Sequence, residues 1–334
     1  MEYHSGSCIG AGDVRIPILS ISTWKTNDED LENALNTALG LGYRGIRTWF
    51  GECKAIGPIL REMFQSNKIR REDIFISASL PPIGNRFEDV EHFLKFSLDL
   101  LQLDYLDLFT IGSPMAFIRE GDLMIPVNEN GEVLLDLKSD FLKTWKGMEE
   151  QVTAGRTKSI GLAYFNLSQV QRILDHCTIK PANLITELHV YCQQKELVSF
   201  CKRNGIVLTA EFPFGSPGLQ QFVDSLDGDK KFIPSPLKDP VILDLAKKHK
   251  KRPSQIILRY LTECGMATLI KAMNPKRIRE CFDIFDFQLT GEDLDRIREL
   301  DQGEEGRIFG GSASTGLLSQ FEKHPEFPYK KNSH

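Results

Sequence analysis

The sequence lacks the features that mark membrane, nucleic-acid-binding and disulfide-stabilised proteins. No stretch reaches the roughly 18 consecutive apolar residues of a transmembrane helix. There is no long lysine and arginine run, and the net charge is -5, so nothing indicates a nucleic-acid or membrane partner. The seven cysteines are scattered without C-x-x-C spacing, which indicates reduced thiols rather than disulfides or a metal site. We therefore expect a cytoplasmic protein without metal.

The first residues, MEYHSGSCIGAGD, are polar and lack a charged start followed by an apolar run, so we expect no secretory signal. A length of 334 residues permits either one large α/β barrel or two ordinary domains. In either arrangement the chain is long enough to bury a substantial core without disulfides.

Short apolar runs alternate with longer amphipathic stretches along the chain. The strand-like runs are 19–23, 45–48, 74–79, 106–111, 159–163, 184–187, 207–210 and 268–270. The helical patterns are 28–41, 53–67, 87–101, 140–154, 167–176, 195–204, 241–248, 254–264 and 275–285. This alternation is typical of parallel βαβ units. Eight such units predict a single (β/α)8 TIM barrel domain over residues 1–334.

Three long irregular segments interrupt the alternation of strand-like and helical patterns, at 112–139, 211–239 and about 301–334. Long loops of a barrel usually lie over its mouth, so we expect mouth loops and a C-terminal tail there. Thr26 and Glu29 have the spacing of a helix capping box, and Gly42 and Gly155 stand where helices often end in a left-handed residue.

Several segments, in order along the chain, resemble the aldo-keto reductases. They are STWK, GYRGIRT, LDYLDL, TWKGMEE, SIGLAYFN, TELHVY, GIVLTAEFPFGSP, LIKAMNPKRIRECFDIFDF and the C-terminal HPEFPYKK. A single string of this kind is weak evidence, whereas the ordered set covers nearly the whole chain. The resemblance implies a (β/α)8-barrel enzyme that reduces aldehydes and ketones with NADPH.

The resemblance also places other residues at the family's four catalytic positions. The positions of the catalytic Asp, Tyr, Lys and His hold Arg47, Phe50, Ser79 and Gly112. Phenylalanine cannot donate a proton, serine cannot lower a neighbouring pKa as lysine does, and glycine offers no imidazole. These substitutions predict that no catalytic residue of the family's type remains.

The positions that contact nicotinamide in the family are changed as well. Ala163 and Tyr164 stand at a Ser-Asn pair that binds the amide, Ile185 stands at a Gln, and Glu211 stands at a stacking Tyr. Arg47 and Glu211 are expected to face the same mouth, where their opposite charges would compensate each other. The alternative is that each finds water or another partner.

The adenine end of the cofactor site keeps more of the family's pattern. Lys271 and Arg277 match cationic contacts to a 2′-phosphate, Glu280 matches an adenine contact, and Cys281 replaces an Asn. The other candidate cofactor-binding residues are Thr23, Trp24 and Ser216. The alternative for Lys271 and Arg277 is that they are ordinary solvated charges after a strand. We therefore expect weak NADP(H) binding at most.

Together these losses predict a pseudoenzyme with little or no carbonyl reductase activity, acting as a weak NADP(H) binder, a ligand sensor or a scaffold. One alternative is an NADP(H)-dependent oxidoreductase for small aldehydes or ketones with a rewired site. Its acid–base groups would come from Glu52, Glu211, Ser113 and Thr48. A structural barrel protein is the other alternative. We expect a monomer whose small-molecule or protein partner the sequence does not identify.

Overall fold

Eight parallel strands close into a barrel in the computed structural model, which describes residues 3–23, 28–218, 234–309 and 316–329. An antiparallel hairpin of β1 (Cys8–Ala11) and β2 (Val14–Pro17) precedes the barrel. The barrel strands are β3 (Leu19–Ser22), β4 (Gly45–Arg47), β5 (Phe75–Leu80), β6 (Leu108–Ile111), β7 (Ile160–Ala163), β8 (Asn183–Glu187), β9 (Val207–Glu211) and β10 (Ala267–Ile270). They follow each other in chain order, and β10 pairs with β3. The predicted fold class is therefore confirmed.

Helices cover the outside of this barrel, as expected for parallel crossovers. Those in the described part of the chain are α1 (Asp28–Leu41), α2 (Cys53–Gln65), α3 (Phe87–Leu101), α4 (Phe141–Thr153), α5 (Leu167–His176), α6 (Lys195–Arg203), α7 (Pro240–His249), α8 (Pro253–Glu263), α9 (Pro275–Phe282) and α10 (Gly291–Arg298). The sequence patterns predicted α1, α3 and α5 with the bounds observed. They missed α10, whose only buried side chains are Asp293 and Ile297, because it carries almost no apolar stripe. None of the described helices is long and apolar enough to cross a membrane.

Glycines mark two helix ends as predicted: Gly42 has a φ of 110° and Gly155 a φ of 73°. The proposed capping box cannot be described, because Thr26 and the Glu29 side chain lie outside the described residues. The hairpin β1–β2 was missed, since β1 alternates between exposed and half-exposed residues and only the last two residues of β2 are buried.

The long connection after β6 is held by contacts with the C-terminal part of the chain. Backbone pairing joins Phe117 to Leu135 within the connection. A short 3₁₀ segment, Gly316–Lys323, then packs on it, where the Val133 amide donates to the Gln320 side chain at 2.8 Å. The rings of Phe117 and Phe321 lie 5.1 Å apart. The tail is therefore part of the barrel's packing on this side.

Helices α2 and α3 approach so closely at Gly57 that a side chain cannot fit between them. A Cβ atom there would lie 2.1 Å from the Leu100 carbonyl oxygen. Backbone contact of this kind cannot be relieved by rotating a side chain. The packing of this helix pair therefore requires glycine, despite the low helix propensity of that residue.

We predict that Gly57→Ala destabilises the protein by about 1–3 kcal/mol, because the overpacking outweighs the gain in helix propensity. The matched control is Gly40→Ala in α1, where a Cβ meets nothing within 4 Å. That change should stabilise by up to about 1 kcal/mol. Urea unfolding of both variants gives the measurement, and a Gly57→Ala protein as stable as the wild type would contradict the packing account.

Candidate functional site

Polar side chains at the ends of five of the eight barrel strands gather at the carboxyl side of the barrel. Arg47 ends β4, Ser79 and Thr110 lie near the ends of β5 and β6, Tyr164 follows β7, and Glu211 ends β9. Strand pairing aligns Ser79 with Thr110 and Arg47 with Ser77. In (β/α)8 enzymes the active site lies at this end of the barrel. We call these five residues the mouth cluster.

Arg47 is the most deeply buried charge of the mouth cluster, with no exposed surface. Its Nη1 donates to the Thr110 hydroxyl at 3.2 Å, and its Nη2 donates to the Ser79 hydroxyl. Its guanidinium also lies against the Trp49 ring, 5.2 Å from the centroid. Burial lowers the pKa of Arg47, and the negative charge of Glu211 opposes this effect. Arginine nevertheless stays charged in proteins, so the interior holds a fixed positive charge.

Tyr164 and Glu211 form the second part of the mouth cluster. The Tyr164 hydroxyl donates a hydrogen bond to the Glu211 carboxylate. Tyr164 is half-buried as a residue, whereas Glu211 is only 3% exposed. The backbone of Tyr164 has a φ of 62°, a left-handed conformation that is uncommon for a bulky residue. Such strain tends to collect at functional sites.

The electrostatics of this pair favour its protonated forms. Burial raises the pKa of the Glu211 carboxyl, against the opposing effects of Arg47 and of the Tyr164 hydrogen bond. Burial and the neighbouring Glu211 also raise the pKa of Tyr164. The raised pKa makes the phenol alone a weak acid, whereas the carboxyl with its raised pKa can supply a proton to the phenol oxygen as the phenol gives up its own.

The four positions that matched the family's catalytic residues are used differently here. Phe50 turns toward the helix layer, where its ring lies 5.1 Å from Phe93 and 5.2 Å from Phe96. Gly112 packs against the chain so tightly that a Cβ would lie 2.6 Å from the Leu80 carbonyl oxygen. Ser79 serves as an acceptor for Arg47. Arg47 and Ser79 therefore act together, whereas Phe50 and Gly112 lie in packed surroundings.

The expected compensation between Arg47 and Glu211 is electrostatic and indirect. The hydrogen bonds of Arg47 go to Ser79 and Thr110, and that of Glu211 comes from Tyr164. Each charge still shifts the pKa of the other. Each of the two side chains therefore has its own hydrogen-bond partners, as one alternative expected. The two charges also stabilise each other electrostatically, as the other alternative expected.

Three of the four candidate acid–base groups of a rewired site are engaged with nearby backbone. The Glu52 carboxylate accepts from the Trp49 amide at 3.1 Å. The Thr48 hydroxyl donates to the Trp49 carbonyl at 3.2 Å, and the Ser113 hydroxyl accepts from the Met115 amide at 3.1 Å. Glu211 is instead hydrogen-bonded to the ionisable side chain of Tyr164. Sequence reasoning missed the proton-carrying role open to Tyr164, whose only signal was its place directly after a buried strand.

The C-terminal tail is fastened to the mouth by Glu187 at the end of β8. This fully buried carboxylate accepts from the Ile308 amide at 2.7 Å and the Phe309 amide at 2.9 Å, and it contacts His189 at 2.9 Å. The Phe309 ring stacks on Phe212 at 3.9 Å. Sequence reasoning missed Glu187, because the tail amides that it binds lie more than a hundred residues away along the chain.

The predicted cofactor-binding residues lie in contrasting surroundings. Lys271 and Arg277 are exposed after β10, and the Asn274 side chain accepts from the Lys276 and Arg277 amides at the start of α9. Glu280 lies 3.7 Å from Arg252, and Cys281 is buried in the apolar core. Their roles toward a cofactor stay predictions.

Three further candidates lie near the mouth or outside the described residues. Thr23 is buried and donates through its hydroxyl to the Arg47 carbonyl at 3.3 Å. Ser216 is half-buried with a φ of 51°. Trp24 lies outside the described part of the chain. The roles of these residues toward a cofactor also stay predictions.

A closed parallel barrel with ionisable side chains buried at its strand ends is the arrangement of the (β/α)8-barrel enzymes. Comparison with known proteins narrows the class: residues 9–302 match the Aldo/keto reductase family. The chain belongs to this family. It is 38% identical over 318 residues to "Aldo-keto reductase family 1 member A1" of Xenopus tropicalis, covering 94% of each chain. It is 35% identical over 324 residues to the protein of the same name from Gallus gallus, again covering 94% of each.

A solved structure supports the same family assignment. The aldose reductase from Schistosoma japonicum superposes with a TM-score of 0.82 at 33% sequence identity, covering 95% of this chain and 96% of the other. The prediction of a pseudoenzyme is therefore wrong, because near-full-length relatives named as reductases support an oxidoreductase. The pseudoenzyme prediction rested on the changed catalytic positions and on the changed nicotinamide contacts, and the alternative of an oxidoreductase with a rewired site agrees better with these relatives.

We predict that Glu187→Ala loosens the tail, because two charge-assisted hydrogen bonds to backbone amides are lost. Hydrogen exchange at the Ile308 and Phe309 amides should accelerate by about 10- to 100-fold. Glu305→Gln removes one negative charge from the exposed surface of the tail and is the matched control, expected to leave these rates unchanged. Unaltered protection in Glu187→Ala would show that the tail is held elsewhere.

Proposed function

We propose that this protein is an NADP(H)-dependent oxidoreductase that reduces small aldehydes or ketones, with Tyr164 and Glu211 supplying the proton. The observation that carries the proposal is the direct contact between the Tyr164 hydroxyl and the buried Glu211 carboxyl at the carboxyl ends of the strands, because a protonated carboxyl can reverse this hydrogen bond and donate to the phenol oxygen. Membership of the aldo/keto reductase family supports the reaction class. No residue of the family's catalytic pattern is needed for this assignment, since acid–base roles depend on geometry and pKa.

The residues around the mouth fit a nicotinamide dinucleotide. Ala163, Ile185 and Leu269 form a small buried apolar cluster against which Tyr164 packs, and such a floor suits one face of a flat ring. Lys271 and Arg277 are exposed cations that suit a phosphate group. Because Asn274 already caps the first amides of α9, a phosphate there would be held by side chains. When bound, the dinucleotide supplies the hydride to the carbonyl carbon.

The proton follows a two-step route through the chain's own side chains. Tyr164 gives its hydroxyl proton to the carbonyl oxygen of the substrate, and Glu211 returns a proton to the phenolate oxygen. Solvent then reprotonates Glu211, so the alcohol gains one hydride and one proton in total. The raised pKa of Glu211 keeps this carboxyl protonated to higher pH than an ordinary glutamate.

We predict that Tyr164→Phe and Glu211→Gln each lower kcat for aldehyde reduction with NADPH by about 10²- to 10⁴-fold, the usual contribution of general acid catalysis. Tyr43→Phe is the matched control. It also removes a buried phenol hydroxyl, one that donates to the Ile278 carbonyl at 3.0 Å in the helix layer, and it should leave kcat unchanged. Full activity of Tyr164→Phe with a retained fold would remove the proposed proton donor.

The pH dependence of the reaction provides an independent prediction. Donation requires protonated Glu211, so kcat/KM should fall as the pH rises through the raised pKa of this carboxyl. In Glu211→Gln this alkaline limb should disappear, because the amide does not titrate. The measurement is a pH profile of both proteins with one aldehyde, and an unchanged limb in Glu211→Gln would assign it to another group.

A further inference from the structure

Arg47 has a donor that the described residues leave unsatisfied. Its two terminal nitrogens donate to neutral hydroxyl groups, those of Ser79 and Thr110, whereas its buried Nε has no hydrogen-bond partner. A guanidinium carries five N–H donors and no acceptor. Buried charges are normally paired, because an unpaired one forfeits its hydration. Among the described residues no carboxylate accepts a hydrogen bond from Arg47, although the charges of Glu211 and Glu52 act on it electrostatically.

Trp49, two residues further along the chain, also has a buried donor that no described residue accepts from. Its indole Nε1 is buried and has no hydrogen-bond partner within the part of the chain that the structure describes. Its ring lies against the Arg47 guanidinium, with 5.2 Å between Cζ and the ring centroid. The indole N–H can only donate. Two adjacent side chains therefore leave donors facing no acceptor, and each such donor costs free energy in the folded protein.

A carboxylate is the ligand group best suited to accept hydrogen bonds from both the Arg47 Nε and the Trp49 Nε1. Its two oxygens can accept from more than one N–H donor, and arginine binds this planar group well. The two unpaired donors, the Arg47 Nε and the Trp49 Nε1, match the two oxygens of a carboxylate, whereas a phosphate would leave further oxygens without donors. Arg47 ends β4, Tyr164 follows β7 and Glu211 ends β9, so the cation and the proton pair lie at the same end of the barrel. A molecule that reaches both would carry a carboxylate and a carbonyl close together.

We propose that Arg47 and Trp49 bind the carboxylate of the substrate, so that the preferred substrates are small 2-oxo acids. The 2-oxo group in this assignment rests on the proposed carbonyl reduction. Binding of the carboxylate by Arg47 and Trp49 does not depend on that reaction and can be measured separately. Arg47 and Trp49 are specificity-determining residues in this account, and the proton still comes from Tyr164.

Binding can be tested without turnover, using oxamate as a 2-oxo acid analogue that is not reduced. Titration calorimetry with the full-length protein, with and without NADP⁺, should give at least tenfold tighter binding of oxamate than of the neutral oxamide. Arg47→Met should lose at least tenfold in oxamate affinity, and Trp49→Phe should lose a smaller factor. Arg61→Met removes an exposed charge from α2 and should bind like the wild type.

The outcomes separate this inference from the proposed function. Equal binding of oxamate and oxamide, or undiminished oxamate binding by Arg47→Met, would overturn it, and so would inorganic phosphate binding as tightly as oxamate. If Arg47→Met does not fold, Arg47→Lys keeps the charge and should retain part of the preference for oxamate, which a purely structural role would not require. Oxamate binding without any NADPH-dependent reduction would defeat the proposed function alone. Reduction of neutral aldehydes without oxamate binding would defeat this inference alone.

Discussion

The guanidinium of Arg47 is a permanent positive charge buried inside the barrel, and the other polar side chains of the mouth cluster lie around it. A buried guanidinium needs acceptors because it has lost its water, and its proton does not leave at any ordinary pH. Ser79 and Thr110 on the next two strands provide hydroxyl acceptors. The Nε of Arg47 and the indole N–H of the neighbouring Trp49 have no acceptor among the described residues. These two donors make the mouth suitable for binding an anionic ligand.

The same charge also controls the proton pair. Arg47 favours the ionised form of Glu211, whereas burial favours the protonated form, and burial is the larger effect. A carboxylate docking beside Arg47 would offset its charge. The pKa of Glu211 would then rise further, and its proton would be held ready for Tyr164. In the proposed reaction, substrate recognition and proton supply are therefore coupled through one electrostatic field.

The mouth also depends on a cover that comes from the far end of the chain. Glu187 binds the Ile308 and Phe309 amides with a carboxylate that has no exposed surface. The stacked rings of Phe212 and Phe309 add an apolar contact beside Glu211. Excluding water in this way strengthens each electrostatic interaction beneath it. The family's catalytic positions at Phe50 and Gly112 lie in tight packing instead, so the chemistry has to come from other residues.

The alternation of apolar runs with amphipathic helices, together with the ordered motifs, determined the barrel, its strand order and its family. Those features are local, with periods and caps that can be read along the chain. The sequence could not show that Tyr164 meets Glu211, 47 residues later, or that Phe50 turns to the helix layer. Such contacts depend on strand register and barrel closure, where a slip of one residue would turn every side chain to the other face. Whether Arg47 has a charged partner was likewise decided only by the tertiary structure, because burial and the positions of neighbouring acceptors set the cost of that charge.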